Sequence, residues 1–486
     1  PALGKVEAMQ APSAERPPGL PRVFAELRDE LVRRPSLPPG ETSFSLRRTH
    51  RFQRHTLRTL LAYHERYGPV FTVRIFHRPT VVMLGPEANH FVTVSGAENF
   101  SWRRGMFGEQ LIPLLGDGLI TTDDGYHDRA RRIMMPAFHR RRMDAAVAVM
   151  VEQALRSLEP WRAGDLVDVY AWIRDLAMSI AMRALVGLDP SDAARGHHAA
   201  EWFERALSFY DTEVPLMMLR GPGSPWSRMQ AARRELDGIV YAEIERRRRE
   251  AGTGEDILSM LLDARDEDGT GLTDLELRHQ VMTLLFGGHD TSSSTFSFLV
   301  YELARNPEVL ARVVAEQDRV LAGRAPTGDQ LTGELPELDM ALDETLRLYP
   351  PVWFGPRMAV KEFEFGGHRI PAGTHVIHSS WVSHRLPEVF PDPDAFIPER
   401  FAPEARRELP KGAYIPFGGG QRICIGKRFG QLVVKAVATV VLQRLGLALQ
   451  PGHELRIDKL PTLSPRGGLP MVVAQRRATA SYEGIT

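Results

Sequence analysis

The stretch Phe417-Gly418-Gly419-Gly420-Gln421-Arg422-Ile423-Cys424-Ile425-Gly426 decides the reading of this chain. Cys424 is the only cysteine among 486 residues. One cysteine excludes an internal disulfide, and one thiol cannot build a zinc site of the usual multi-cysteine kind. Three roles remain: a buried inert thiol, a nucleophile, or a single thiolate ligand to a metal cofactor. Gly418, Gly419 and Gly420 let the backbone approach a flat object and adopt angles closed to other residues. Residues 429–447 are largely apolar, broken by Gln431, Lys435, Gln443 and Arg444, and predict a buried helix. Cys424 then lies at or just before a helix N-terminus, where unpaired N–H groups and the positive dipole end favour a thiolate. Two phosphate-binding patterns fail on spacing. Gln421 stands where a P-loop needs its first glycine, and Ile423 stands where a dinucleotide fingerprint needs its third.

Working outward, 61 basic and 61 acidic residues cancel, which argues against a mainly nucleic-acid-binding protein. Hydrophobic residues make up 43%, enough for a large core, and no linker divides the chain. Residues 1–36 read as a mobile, polar, Pro-rich lead-in, and Leu37-Pro38-Pro39-Gly40 as the turn that opens a single compact domain over 37–475. Residues 476–486 read as a tail. No stretch approaches the length of a membrane span, and residues 1–41 lack an apolar signal or anchor.

Residues 70–75 and 80–84 are β-rich and predict a hairpin through Phe76-His77-Arg78-Pro79. Residues 360–378 form a second β-rich part, with Gly366-Gly367 as a turn. Most of 87–323 has helical spacing, with breaks at 113–118, 189–190 and 221–225. The expected fold class is mainly α with small β-sheets at one side. The charge run at 245–250 reads as a solvated helix end, and His139-Arg140-Arg141-Arg142 as surface.

Three further patterns carry chemistry. Glu344 and Arg347 stand at i and i+3 on one helix face, ended by Pro350-Pro351. Gly287-Gly288-His289-Asp290-Thr291 puts two glycines inside a helix, a cost of about 1 kcal/mol each relative to alanine, and so removes side chains from one wall. A threonine hydroxyl there can disturb the helical ladder and hold a water, and a carboxylate beside it can deliver protons. His127 and Arg131 stand at i and i+4 on a predicted helix.

Phe417, Gly420, Arg422, Cys424 and Gly426 resemble the haem-binding loop of the cytochromes P450, and the resemblance extends from about residue 37 to about 475. It implies the P450 fold, with haem b between a distal oxygen-groove helix and the helix after the cysteine loop. It implies Cys424 as the proximal iron ligand, a thiolate whose electron donation favours O–O cleavage. Phe417, Gly418 and Gly426 belong to the implied cradle. Asp290 and Thr291 match the acid–threonine pair of the oxygen groove. Glu344, Arg347 and Arg400 match a buried charge cluster that holds the segment before the cysteine loop in register. His127, Arg131, Arg357 and Arg422 match donors to the haem propionates. Lone His289 is not assigned to iron.

The implied activity is a monooxygenase that inserts one atom of dioxygen into an apolar small molecule with two electrons. The Asp290–Thr291 pair favours this over a peroxygenase, an isomerase, a phenol-coupling enzyme or a haem sensor or carrier without turnover. Residues 101–115, 202–218, 286–291, 352–355 and 463–469 are the expected substrate-contacting segments, rich in Trp102, Phe107, Phe203, Phe209, Met217, Met218, Trp353 and Phe354. Arg103, Arg104, Arg205 and Arg466 lie in these segments or beside them, and no spacing marks one as a carboxylate anchor. With one cysteine, an iron–sulfur cluster on this chain is excluded. Electrons are expected from a separate ferredoxin or flavodoxin-type donor and its reductase, with NAD(P)H acting only through them. Arg132, Arg140, Arg141, Arg142, Lys427 and Arg428 are its expected docking cations. Without a membrane segment, the expected enzyme is bacterial in type and cytoplasmic.

Overall fold

The computed structural model describes residues 20–477 apart from 34–35, 76, 190–196, 211, 213, 218 and 251–255. Residues 1–19 and 478–486 of the expected lead-in and tail lie outside the described residues, as do Phe76, Pro190 and Met218. Part of the expected lead-in is helical. Leu20–Arg33 forms α1, whose signal is the recurrence of Leu20, Val23, Leu27 and Leu31 at helical spacing. Its Glu26 binds His77 and Arg78 at 2.6 Å, and its Glu30 binds Arg74 at 2.9 Å. Burial works to raise the Glu26 carboxyl, but the bonds from His77 and Arg78 outweigh it and hold the group well below the usual range.

The body is built from long helices: α2 (Asp124–Met134), α3 (Arg140–Leu158), α4 (Val169–Ala181), α5 (His197–Leu207), α6 (Pro225–Glu250), α7 (Asp274–Arg305), α8 (Pro336–Leu348) and α9 (Lys427–Arg444). The 32 residues of α7 span about 48 Å at the helical rise. Its start is fixed by a capping box, in which Glu276 N–H donates to Thr273 Oγ1 at 3.2 Å and Thr273 N–H to Glu276 Oε2 at 2.8 Å. Most of its side chains are buried, so it lacks a solvent face. It packs against α4, α9, α8 and α6, and α3 closes over α9. Leu299, Phe296, Val437 and Val441 belong to the main core cluster along these helices.

A six-stranded sheet runs in the order Gly40–Glu41, Val70–Ile75, Arg78–Met83, His375–His378, Gly355–Ala359, Phe100–Ser101. The hairpin forms, but Arg78 and Pro79 belong to its second strand and not to the turn: Val70 pairs with Met83 and Ile75 with Arg78. Pro79 is tolerated because the ladder to the next strand begins only at Thr80. In the second β-rich part, Phe363–Phe365 and His368–Ile370 join through Gly366 (φ 58°) and Gly367 (φ 76°), a two-residue turn that needs positive φ twice.

Two expectations change. The predicted helix over 429–447 ends at Arg444, and Leu445–Leu449 becomes a strand paired antiparallel to Pro470–Arg476. The alternation Leu445, Leu447, Leu449 is the period of two that marks it. The charge run at 245–250 is not wholly solvated. Arg247 is buried, bound to Glu243 (2.6 Å), Asp256 (2.6 Å) and the Val186 carbonyl (2.6 Å).

Candidate active site

A cavity of about 280 Å³ lies where α7 faces the 417–426 loop. Phe417, Gly418, Arg422, Cys424 and Gly426 line it from the loop, Gly287, Gly288 and Thr291 from α7, and His127 and Arg131 from α2. Cys424 is exposed to this cavity while protein encloses it on its other sides. Burial pushes the thiol up, opposed by the Gly426 N–H and by the charges of Arg131 and Lys427. Helix α9 starts at Lys427, so the cysteine sits just before its N-terminus, but desolvation outweighs the local positive field. Such a thiol is deprotonated by coordination to a metal rather than by its protein neighbours alone.

Cys424 N–H donates to the Phe417 carbonyl at 2.9 Å, which closes the loop on itself. Gly418 (φ 71°) and Gly420 (φ 59°) hold the left-handed backbone it needs. A Cβ on Gly420 would overlap the Thr93 carbonyl. The glycines thus serve close packing against the 91–95 turn as well as the cavity wall.

On α7, a Cβ added to Gly287 would meet open space, as expected of a glycine that leaves room in a cavity. Thr291 Oγ1 donates to the Gly287 carbonyl at 2.6 Å. Asp290 is buried and does not line the cavity; its Oδ1 accepts from Arg174 Nη1 at 2.8 Å. Arg174 also binds Glu204 Oε2 at 2.5 Å. His289 Nε2 lies 3.1 Å from both Glu204 Oε1 and the Arg174 carbonyl, so it belongs to this network and not to the cavity. Burial works to raise the Glu204 carboxyl, but the His289 bond and the charges of His289 and Arg174 hold it at about 2.

The expected cations divide. Arg357 is buried with its guanidinium 3.9 Å over the Trp102 ring, and among the described residues its side chain donates only to the Pro356 carbonyl, at 3.0 Å. Among the described residues no carboxylate pairs with it, and burial, then the Arg422 charge, push it down to about 9. Arg422 instead binds Asp123 Oδ1 and the Thr122 carbonyl, both at 2.5 Å. His127 Nδ1 meets Asp128 at 3.1 Å, and burial followed by Arg422 lowers its imidazole. Arg131 is lowered by burial.

Beside Arg357, Trp102 Nε1 and both ring nitrogens of His378 are buried with no hydrogen-bond partner among the described residues. His378 is pushed down to about 3 by burial and the Arg357 charge. An uncompensated buried guanidinium and an unpartnered indole N–H at one end of the cavity fit an anionic ligand edge. The Cys424 thiol faces the same space. This donor set fits a haem with its propionates among Arg357, Trp102 and Arg131. The sequence marks Trp102 only as apolar lining. Nothing in its spacing marks its N–H, because the guanidinium that stacks on its ring belongs to Arg357, 255 positions away.

The structure brings Glu344, Arg347 and Arg400 together. Glu344 and Arg347 have fully buried side chains, paired at 2.7 and 2.8 Å, and Arg400 Nε stands 3.4 Å from Glu344. Glu344 also accepts from Ile397 N–H at 2.8 Å. Arg347 donates to the carbonyls of His384 (2.9 Å), Pro393 (2.7 Å) and Ala395 (3.0 Å). His384, absent from the sequence reading, extends this brace toward the cysteine loop: its Nδ1 faces the Arg347 carbonyl at 3.3 Å, and its Nε2 accepts from Ile415 N–H at 3.0 Å.

The expected substrate segments are only partly placed on the cavity. Trp102, Val352, Phe354 and Gly355 line it, while Phe203, Phe209 and Met217 are buried in the main core. Leu463 and Trp353 pack in a second core cluster, with Trp353 Nε1 donating to the Lys459 carbonyl at 2.8 Å. Leu119, Ile120, Leu185 and Leu284 supply apolar wall instead. Arg103, Arg205 and Arg466 are each paired at 2.6 Å, with Asp117, Glu201 and Asp458. Among the described residues no helix is long and apolar enough to cross a membrane.

The chain matches the family description "Cytochrome P450" over residues 36–469. It is 35% identical over 370 residues to cyclooctat-9-en-7-ol 5-monooxygenase of Streptomyces melanosporofaciens, covering 75% of this chain and 79% of that protein. It is 32% identical over 397 residues to cyclooctatin synthase of the same organism, covering 80% and 85%. Among solved structures, retinoic acid bound cyanobacterial CYP120A1 superposes with a TM-score of 0.82 at 29% identity, covering 91% of this chain and 99% of that one. Taken with the cavity shared by the lone thiol and the glycine-lined helix, these likenesses show that the chain belongs to the cytochrome P450 family and is a P450 monooxygenase.

Proposed function

We propose that this P450 monooxygenase inserts oxygen into an apolar, largely hydrocarbon small molecule, with Cys424 as the iron ligand and Thr291 at the oxygen side. The observation that carries the reading is the placement of Cys424 and Thr291 on the walls of one cavity, with the uncompensated Arg357 at its edge. Haem held through a thiolate supplies the centre that activates dioxygen with two electrons. Arg357, Trp102 and Arg131 would hold its propionates, and the 417–426 loop its thiolate face.

The chain's own groups handle substrate and protons. Leu119, Ile120, Leu284, Val352 and Phe354 desolvate an apolar substrate against α7, and the gap at Gly287 leaves room beside Thr291. The names of the relatives support an apolar substrate class, since one is named for a cyclic alkenol and one was solved with retinoic acid. The Thr291 hydroxyl donates to Gly287 and keeps its lone pairs for a water in the cavity. Asp290, its Oδ2 without a hydrogen-bond partner among the described residues, is the carboxylate next to it; Arg174 and Glu204 link it to the surface, Glu204 being 39% exposed. Asp290 must turn to reach the cavity, so proton delivery requires the Arg174 bond to yield.

Electrons come from a separate acidic donor. Arg132 in the last turn of α2 and Arg141 and Arg142 in the first turn of α3 are exposed and make its docking face with Lys427; Arg132 meets Glu267 at 3.9 Å, a long pair between exposed side chains. Arg140 and Arg428 are committed to Asp329 (2.6 Å) and Asp144 (2.5 Å), so they contribute less. The deciding experiment is turnover with labelled dioxygen and an apolar compound library. One labelled oxygen atom in the product is expected; label-free product, or product formed only with peroxide, would overturn the reading.

A further inference from the structure

Asp123 is the N-cap residue of α2, where an aspartate ordinarily accepts a bond from the first helical turn. Its side chain makes no such bond. The next residue, Asp124, holds φ 52°, a left-handed conformation that strains a residue with a Cβ. This backbone turn accompanies a carboxylate engaged elsewhere. Oδ1 accepts from Trp102 N–H at 3.1 Å and from Arg422 Nη2 at 2.5 Å, and Oδ2 accepts from Arg103 N–H at 3.0 Å and from the Ser101 hydroxyl.

These four donors come from two segments about 320 residues apart, the 101–103 segment and the cysteine loop. Each carries a group that lines the cavity: the Trp102 ring under the Arg357 guanidinium at 3.9 Å, and Arg422, two residues before Cys424. One carboxylate therefore fixes both. Its charge also reaches Arg357, where it opposes the lowering caused by burial.

We propose that Asp123 is a positioning residue for the haem: it holds Trp102 where its indole meets a propionate and pins Arg422 with the cysteine loop behind it, and its charge offsets the Arg422 and Arg357 cations, keeping the iron's reduction potential below what those cations alone would set. This rests on the haem reading of the cavity. The sign follows from charge. Reduction adds one electron to the site, so removing a nearby negative charge favours the reduced form and raises the potential.

The experiment compares substrate-free holoenzyme of the wild type, Asp123→Asn and Asp123→Glu by anaerobic redox titration and by haem transfer to apomyoglobin. Asp123→Asn, neutral and equal in size, is expected to shift the midpoint potential positive and to release haem about 10-fold faster. Asp123→Glu, charged but longer, is expected to stay near the wild-type potential while still releasing haem faster. An unshifted potential in Asp123→Asn overturns the charge offset, and wild-type haem release in both variants overturns the positioning. Should Asp123→Asn fail to retain haem, Asp123→Glu decides: a clear potential shift or wild-type haem release sinks the proposal. A wild type without a thiolate-haem spectrum would instead sink the underlying haem reading.

Discussion

At the residue scale, the lone thiol and its opposite wall make separable predictions. Cys424→Ser is expected to abolish the far-shifted absorption of the reduced, carbon-monoxide-treated protein, read directly by difference spectroscopy, because a serine hydroxyl does not supply a thiolate. Thr291→Ala is expected to keep reducing dioxygen while releasing hydrogen peroxide, with product per electron falling several-fold, since removing one positioned group typically costs about 10²-fold in a proton-transfer step. Unchanged coupling would count against its role. His384 offers a pH test. Burial, with the Arg347 charge, depresses its imidazole to about 3, below its ordinary value of 6.5. Between those values the unfolded chain binds the extra proton, so the stability this residue contributes is complete above 6.5 and is lost as pH falls toward 3. Chemical denaturation of the wild type is expected to show a loss of up to about 1.4 kcal/mol per pH unit in that window from this group. His384→Asn should flatten the slope.

At the scale of elements, the Glu344–Arg347–Arg400 cluster joins α8 to the segment that leads into the cysteine loop. Glu344→Ala would leave Arg347 buried with its charge unpaired, a cost of about 3–5 kcal/mol, and is expected to yield protein that fails to retain haem. Normal haem content in that variant would refute the brace. These elements also show what was readable beforehand. The Glu-x-x-Arg spacing on one helix face, the double glycine in α7 and the glycine-rich loop are local patterns. Backbone angles and i, i+3 geometry fix them wherever the chain goes. The strand at 445–449 was legible too, through its alternation, yet an apolar run long enough for a helix hid it until its partner at 470–476 was in place. Helix α1 was similarly masked by a polar, Pro-rich setting.

At the scale of the whole molecule, reduction depends on a second protein, for which the exposed cations at the start of α3 are the proposed docking face. Charge reversal at Arg132 and Arg142 is expected to slow association with an acidic electron donor about 10-fold at low salt, and to flatten the salt dependence of reduction measured by stopped flow. Reversal at Arg140, already paired with Asp329 at 2.6 Å, should matter less. The sequence by itself determined the mainly helical class, the lone thiol poised before α9, the glycine gap beside Thr291 and the Glu344–Arg347 pair, since each is a relation between neighbours along the chain. Only the tertiary structure decided that Asp290 faces Arg174 instead of the cavity, that Trp102 and Arg357 stack, that Asp123 holds Arg422, and that Phe203, Phe209 and Met217 are core. Those relations join residues tens to hundreds of positions apart, and burial, packing and charge pairing between such residues exist only once the chain has folded.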